Sequence, residues 1–82
     1  MAKVVLTGTL SDLTEGVKEL EVDAPNIYQL FQKMAKQYPA IKTLFDDGAV
    51  IVSIDGELSQ DSLTEKIKPN SEVMIFPQIE GG

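Results

Sequence analysis

The residues best placed to do chemistry are the last two, Gly81 and Gly82, which end the stretch Pro77-Gln78-Ile79-Glu80-Gly81-Gly82. With no side chain at the tip, the Gly82 carboxylate is the reactive group there, and a Gly-Gly end fits a channel too narrow for a Cβ. Six extended residues reach at most about 20 Å, at roughly 3.3–3.6 Å each, which is enough to carry that carboxylate into another protein's active site. Elsewhere the chemistry is thin. There is no cysteine and no histidine, so a thiolate nucleophile, a disulfide and the commonest metal ligand are all missing. Asp46-Asp47-Gly48 sets a carboxylate pair beside a glycine. It lacks the further oxygen ligands at fixed offsets that a calcium loop requires, so no metal site is expected. An inert ending is the competing reading. At ordinary glycine usage two terminal glycines arise by chance in roughly 0.5% of chains, and termini are often merely disordered.

Length and charge narrow the classes further. At 82 residues, 43% hydrophobic and 24% charged, the chain suits one modest core and no second domain. The expected division is a single domain over 1–76 and a flexible tail over 77–82. No apolar run approaches 18 residues, and the short run after Met1 reads as a strand and not as a signal peptide. A cytoplasmic location is therefore expected. The net charge of −6 disfavours nucleic acid and anionic membranes as partners and favours a basic protein surface. The same charge also serves simple solubility.

The elements that must hold the tail can be read in order. Lys3-Val4-Val5-Leu6-Thr7 predicts a first strand, and its consecutive apolar residues suggest burial on both faces at the centre of a sheet. Residues 8–16 are polar, with Leu10 and Leu13 as anchors. Val17 to Val22 predicts a second strand whose Leu20 and Val22 alternate with charge, as at a sheet edge. Ile27, Leu30, Phe31, Met34 and Tyr38 share one helical face. Asn26 and Gln29 form a capping-box pattern at the start of that helix, and Pro39 ends it. Ile41, Leu44 and Phe45 predict a short helical turn. Val50-Ile51-Val52-Ser53-Ile54 predicts a strand, Asp55-Gly56 a tight turn, and Glu57-Leu58 a short return. Leu63 and Ile67 suggest a further helical turn, and Lys68-Pro69-Asn70-Ser71 a turn before the last strand, Val73 to Phe76. One amphipathic helix buries its stripe across one face of one sheet. The order therefore predicts an α+β, β-grasp (ubiquitin-like) fold: a mixed four- to five-stranded sheet with one main helix on one face. The first and last strands would pair in parallel at its centre. A ferredoxin-like fold would need a second helix of similar length, and residues 59–68 are too short and too polar for one. Alternation in the last strand places Met74 and Phe76 on the open side if Val73 and Ile75 face the helix. An exposed Met-Phe pair beside the tail suits partner docking, the alternative being that Phe76 only covers the core edge.

The stretch Glu72-Val73-Met74-Ile75-Phe76-Pro77-Gln78-Ile79-Glu80-Gly81-Gly82, with this element order, resembles the prokaryotic sulfur carriers of ubiquitin-like fold. It looks most like the small subunit of molybdopterin synthase. An acidic residue opening the strand, an aromatic before proline, a branched aliphatic and a Gly-Gly end carry the resemblance. Gln78 stands where a second proline is common, Glu80 where a small residue is usual, and the loop Thr7 to Leu13 lacks the aromatic and arginine often found there. Related carriers serving thiamine, cysteine or tRNA thiolation, and protein modifiers, therefore remain alternatives. The resemblance implies that an ATP-dependent adenylating enzyme activates the Gly82 carboxylate and that sulfur transfer converts it to a thiocarboxylate. It implies a larger catalytic subunit, such as a molybdopterin synthase large subunit, that meets Met74, Phe76, Pro77, Ile79 and Gly81. The chain would be a co-substrate with no catalytic residue besides Gly82; it would bind no cofactor, the ATP being used by the activating partner.

Overall fold

The central pairing joins segments far apart in the chain. β1 (Ala2–Leu6) runs parallel to β5 (Glu72–Pro77), with Val4 opposite Val73 and Leu6 opposite Ile75. The computed structural model describes residues 1–58 and 65–78. β2 (Glu19–Val22) pairs antiparallel with the outer side of β1, and β3 (Val50–Ile54) pairs antiparallel with β5. β4 (Glu57–Leu58) returns beside β3, giving a five-stranded sheet in the order β2-β1-β5-β3-β4. The helix α1 (Ile27–Gln37) covers one face, and this is the β-grasp arrangement. The short helix α2 (Lys42–Asp46) follows it after a 3₁₀ turn at Pro39–Ile41.

Local sequence accounts for each boundary. Asn26 is extended and its Oδ1 accepts the Gln29 N–H at 2.8 Å, which satisfies a free donor of the first turn of α1. Ile27, Leu30 and Met34 are almost wholly buried against the sheet, with Val4, Leu6, Val73 and Ile75 in the same core. Phe31 and Tyr38 are half-buried at its margin, and the Phe31 ring stacks on Phe45 of α2 at 4.0 Å between centroids. The hairpin between β3 and β4 has positive φ at both central residues, Asp55 at 51° and Gly56 at 87°, the primed geometry that matches strand twist. Ser71 N–H bonds the Lys68 carbonyl at 3.0 Å and closes the turn that leads into β5.

The structure differs from the sequence reading at several points. Val4 and Leu6 are buried, but Val5 between them is half-buried on the open side. Among the described residues α1 covers only one face of the sheet; β1 is central through its neighbours and not through burial on both faces. Gly8–Leu13 forms a 3₁₀ helix anchored by fully buried Leu10. β2 begins at Glu19 because Val17 N–H is bonded to the Thr14 carbonyl, with Thr14 Oγ1 bonded to the Val17 carbonyl at 2.8 Å. Lys66 bridges to Asn26 and Ile67 N–H donates to Pro25, so this stretch is extended. Leu63, the other residue of the expected helical turn, lies outside the described residues.

Candidate partner surface and root of the tail

Alternation along the strands sorts the uncovered face of the sheet into two ends. Toward the start of β5 it is charged. Lys3 lies between Glu21 on β2 and Glu72 on β5 and forms ion pairs with Glu19 at 3.1 Å and Glu72 at 3.9 Å. The hydrogen bond to Glu19 and its charge raise the Lys3 pKa above the usual lysine value. Both pairs are exposed and add little to stability. Toward the end of β5 the face is apolar. Met74 lies opposite Val5 on one side and Ser53 on the other; Phe76 lies opposite Ile51; Leu58 follows Ser53 on β4. Met74, Phe76 and Val5 are half-buried, while Ile51 is 40% and Leu58 63% exposed. Val73 and Ile75 are fully buried on the helix side, so Met74 and Phe76 stand on the side that their alternation predicted.

The root of the tail is gripped from two directions. The Ile75 carbonyl accepts both Thr7 N–H and Thr7 Oγ1, each at 3.1 Å. Pro77 is the last residue of β5, opposite Val50, where its missing donor is least costly. Its ring packs on Gly8, and Gln78 N–H then donates to the Ala49 carbonyl at 2.9 Å. β5 thus runs one residue beyond the expected Phe76, and Gln78 is still bonded to the domain. Of the expected site residues, the structure brings Met74, Phe76 and Pro77 together on the tail end of β5. Ile79, Gly81 and Gly82 lie outside the described residues.

Sequence reading missed Val5, Ile51, Leu58 and Gly8. The all-apolar run of β3 conceals which residues face out, and the register that places Ile51 beside Phe76 is not written in either strand alone. Gly8 carried one local signal, a glycine directly after a strand. Elsewhere, an open groove between α1 and α2 is lined by Tyr28, Phe31, Lys36, Phe45, Lys42 and Asp46, the last two paired at 2.6 Å. No cluster of three potential metal-ligating side chains occurs among the described residues, and no helix among them is long and apolar enough to cross a membrane.

A ubiquitin-like sheet with a gripped C-terminal strand and an apolar end on its uncovered face defines the structural class. The chain belongs to the ThiS family of ubiquitin-like sulfur carriers, whose sequence profile matches residues 4–82. No curated protein matches the chain. Among solved structures, a chain of the BexX/CysO complex from Amycolatopsis orientalis superposes with a TM-score of 0.84 at 19% identity, covering 100% of both chains. Small archaeal modifier protein 1 from Methanosarcina acetivorans gives a TM-score of 0.84 at 23% identity, covering 99% of this chain and 95% of its own. A chain of the complex of subunits 1 and 2 of molybdopterin-converting factor from Helicobacter pylori gives 0.69 at 16% identity, covering 99% and 97%. At these identities the likeness is one of fold.

Proposed function

We propose that this chain is a sulfur carrier whose Gly82 carboxylate is activated and loaded by a partner, and that it acts as the small subunit of molybdopterin synthase. The observation that carries the reading is membership of the ThiS family, whose match runs through Gly81-Gly82. A carboxylate is a poor electrophile until it gains a leaving group. In the proposed sequence a Gly82 carboxylate oxygen attacks the α-phosphorus of ATP on an adenylating enzyme and pyrophosphate departs. A sulfide-level nucleophile then attacks the acyl carbon, AMP leaves, and a thiocarboxylate remains. That sulfur attacks an electrophilic carbon of the acceptor and displaces a leaving group from it, and water then cleaves the acyl–sulfur bond, returning the Gly82 carboxylate and leaving a thiol on the acceptor. Apart from the Gly82 carboxylate and the sulfur loaded on it, these steps call on no side chain of the carrier, in keeping with a sequence free of histidine and cysteine. Met74, Phe76 and Pro77 dock the larger catalytic subunit, Ile79 and Gly81 enter its channel, and the reaction is cytoplasmic, where ATP is available. The Helicobacter pylori complex of two converting-factor subunits supports the molybdopterin assignment.

Co-expression with the host's adenylating enzyme and intact mass spectrometry tests the chemistry. The expected product carries one oxygen-to-sulfur mass increase localised to Gly82, and Gly82→Val abolishes it without unfolding the domain. An unmodified chain beside an enzyme active on a known carrier would sink the reading. The likeness to small archaeal modifier protein 1 supports a second reading, in which the same activated carboxylate meets a lysine amine and forms an isopeptide bond. Covalent adducts of the chain in cell lysate would favour it.

A further inference from the structure

We infer that Gly8 is a positioning residue, setting the direction in which the chain leaves the sheet at Pro77 and Gln78. Two independent features of Gly8 meet there. Its φ of +61° lies in the left-handed region, which favours glycine. A Cβ at this position would also lie 3.0 Å from Pro77 Cγ and 3.2 Å from Cδ. Carbon atoms pack best at about 3.5–4.0 Å, so a side chain at position 8 forces the proline ring away. The backbone on either side of the ring is held by hydrogen bonds. On one side the Ile75 carbonyl is held by both donors of Thr7, and on the other Gln78 N–H is bonded to Ala49. Shifting Pro77 by the few tenths of an ångström that a Cβ demands strains the adjoining Gln78 bond, which is the last one holding the chain to the domain among the described residues. The other three positive-φ glycines, Gly16, Gly48 and Gly56, have open space where a Cβ would stand. Gly8 alone among these four combines the backbone requirement with a contact on the tail root. The use made of that direction rests on the carrier reading above; the direction itself is read without it.

The two requirements separate by substitution, because asparagine tolerates the left-handed region yet still carries a Cβ. Amide exchange at Gln78 is measured by NMR in the wild type, Gly8→Asn, Gly16→Asn and the double variant Gly8→Asn with Pro77→Ala. Gly8→Asn is expected to speed exchange at Gln78 about tenfold or more while Ile75 stays protected, as for a local opening and not a global one. Gly16→Asn, with φ of +86° and open surroundings, is expected to leave Gln78 unchanged. Removing Cγ and Cδ in the double variant is expected to restore protection. Unchanged exchange in Gly8→Asn, or loss that Pro77→Ala does not restore, overturns the proposal. So does failure of both Gly8→Asn and the double variant to fold, since Gly8 would then serve the fold as a whole. Adenylation of the same samples gives a separate readout: a wild type that is never adenylated counts against the carrier reading and leaves the exchange result standing.

Discussion

At the scale of single residues, a small number of polar contacts fix where the strands start and stop. Asp55, in the β3–β4 hairpin, reaches across to the start of β5. Its Oδ1 accepts Glu72 N–H at 2.9 Å and its Oδ2 accepts Ser71 Oγ at 3.0 Å. The Glu72 bond first, and the Ser71 bond second, hold the Asp55 carboxyl below its usual pKa. A group whose folded pKa is depressed gives stability that is complete above the unfolded value, about 3.9, and is lost as pH falls through the folded value. Asp55→Asn keeps a residue that tolerates the φ of +51° and removes the charge. Urea midpoints of wild type and Asp55→Asn are expected to differ at neutral pH and to draw together only as pH falls below the unfolded value and through the depressed folded one. A gap that stays constant with pH would show that the contact is indifferent to charge. The pattern of Asp55-Gly56 revealed the turn but not this bond, because the partner comes from residues 71 and 72, far along the chain.

At the scale of elements, the helix and the strand cores were legible because period and composition alone decide them. The Ile27, Leu30, Met34 stripe fixes the buried side of α1, and β3 and β4 run over the residues their hydropathy marks. What was not legible depends on how elements meet. The run Val4-Val5-Leu6 has the composition of a doubly buried strand, yet α1 covers one face and leaves Val5 half-open. The apolar end of the open face is likewise a product of register, which sets Ile51 by Phe76 and Val5 by Met74. Leu30 tests how tightly the covered face is packed. It is fully buried between α1 and the sheet, and Leu30→Ala is expected to cost about 2–5 kcal/mol by denaturant unfolding. A loss below about 1 kcal/mol would mean that the helix settles into the space.

At the scale of the whole molecule, the sheet has one face covered by α1 and one left open among the described residues. Charge gathers at the start of β5 and apolar side chains at its end, beside the root of the tail. If Phe76 docks the proposed larger subunit, Phe76→Ala is expected to weaken that binding by about tenfold or more, the loss typical of a central aromatic anchor, while leaving the fold intact. Equal affinities by calorimetry would assign Phe76 to the core edge alone. The parallel pairing of β1 with β5 has a consequence for synthesis. Thr7 and Ile75, bonded in the folded chain, are 68 residues apart. A ribosome delivers β1 early and β5 late, and contacts this distant in sequence form slowly because a long loop must close first. Until then β1, β2 and α1 wait with an uncovered core. The strand that completes the sheet also holds Pro77 and Gln78, so the root of the tail takes its place only when the fold itself is finished.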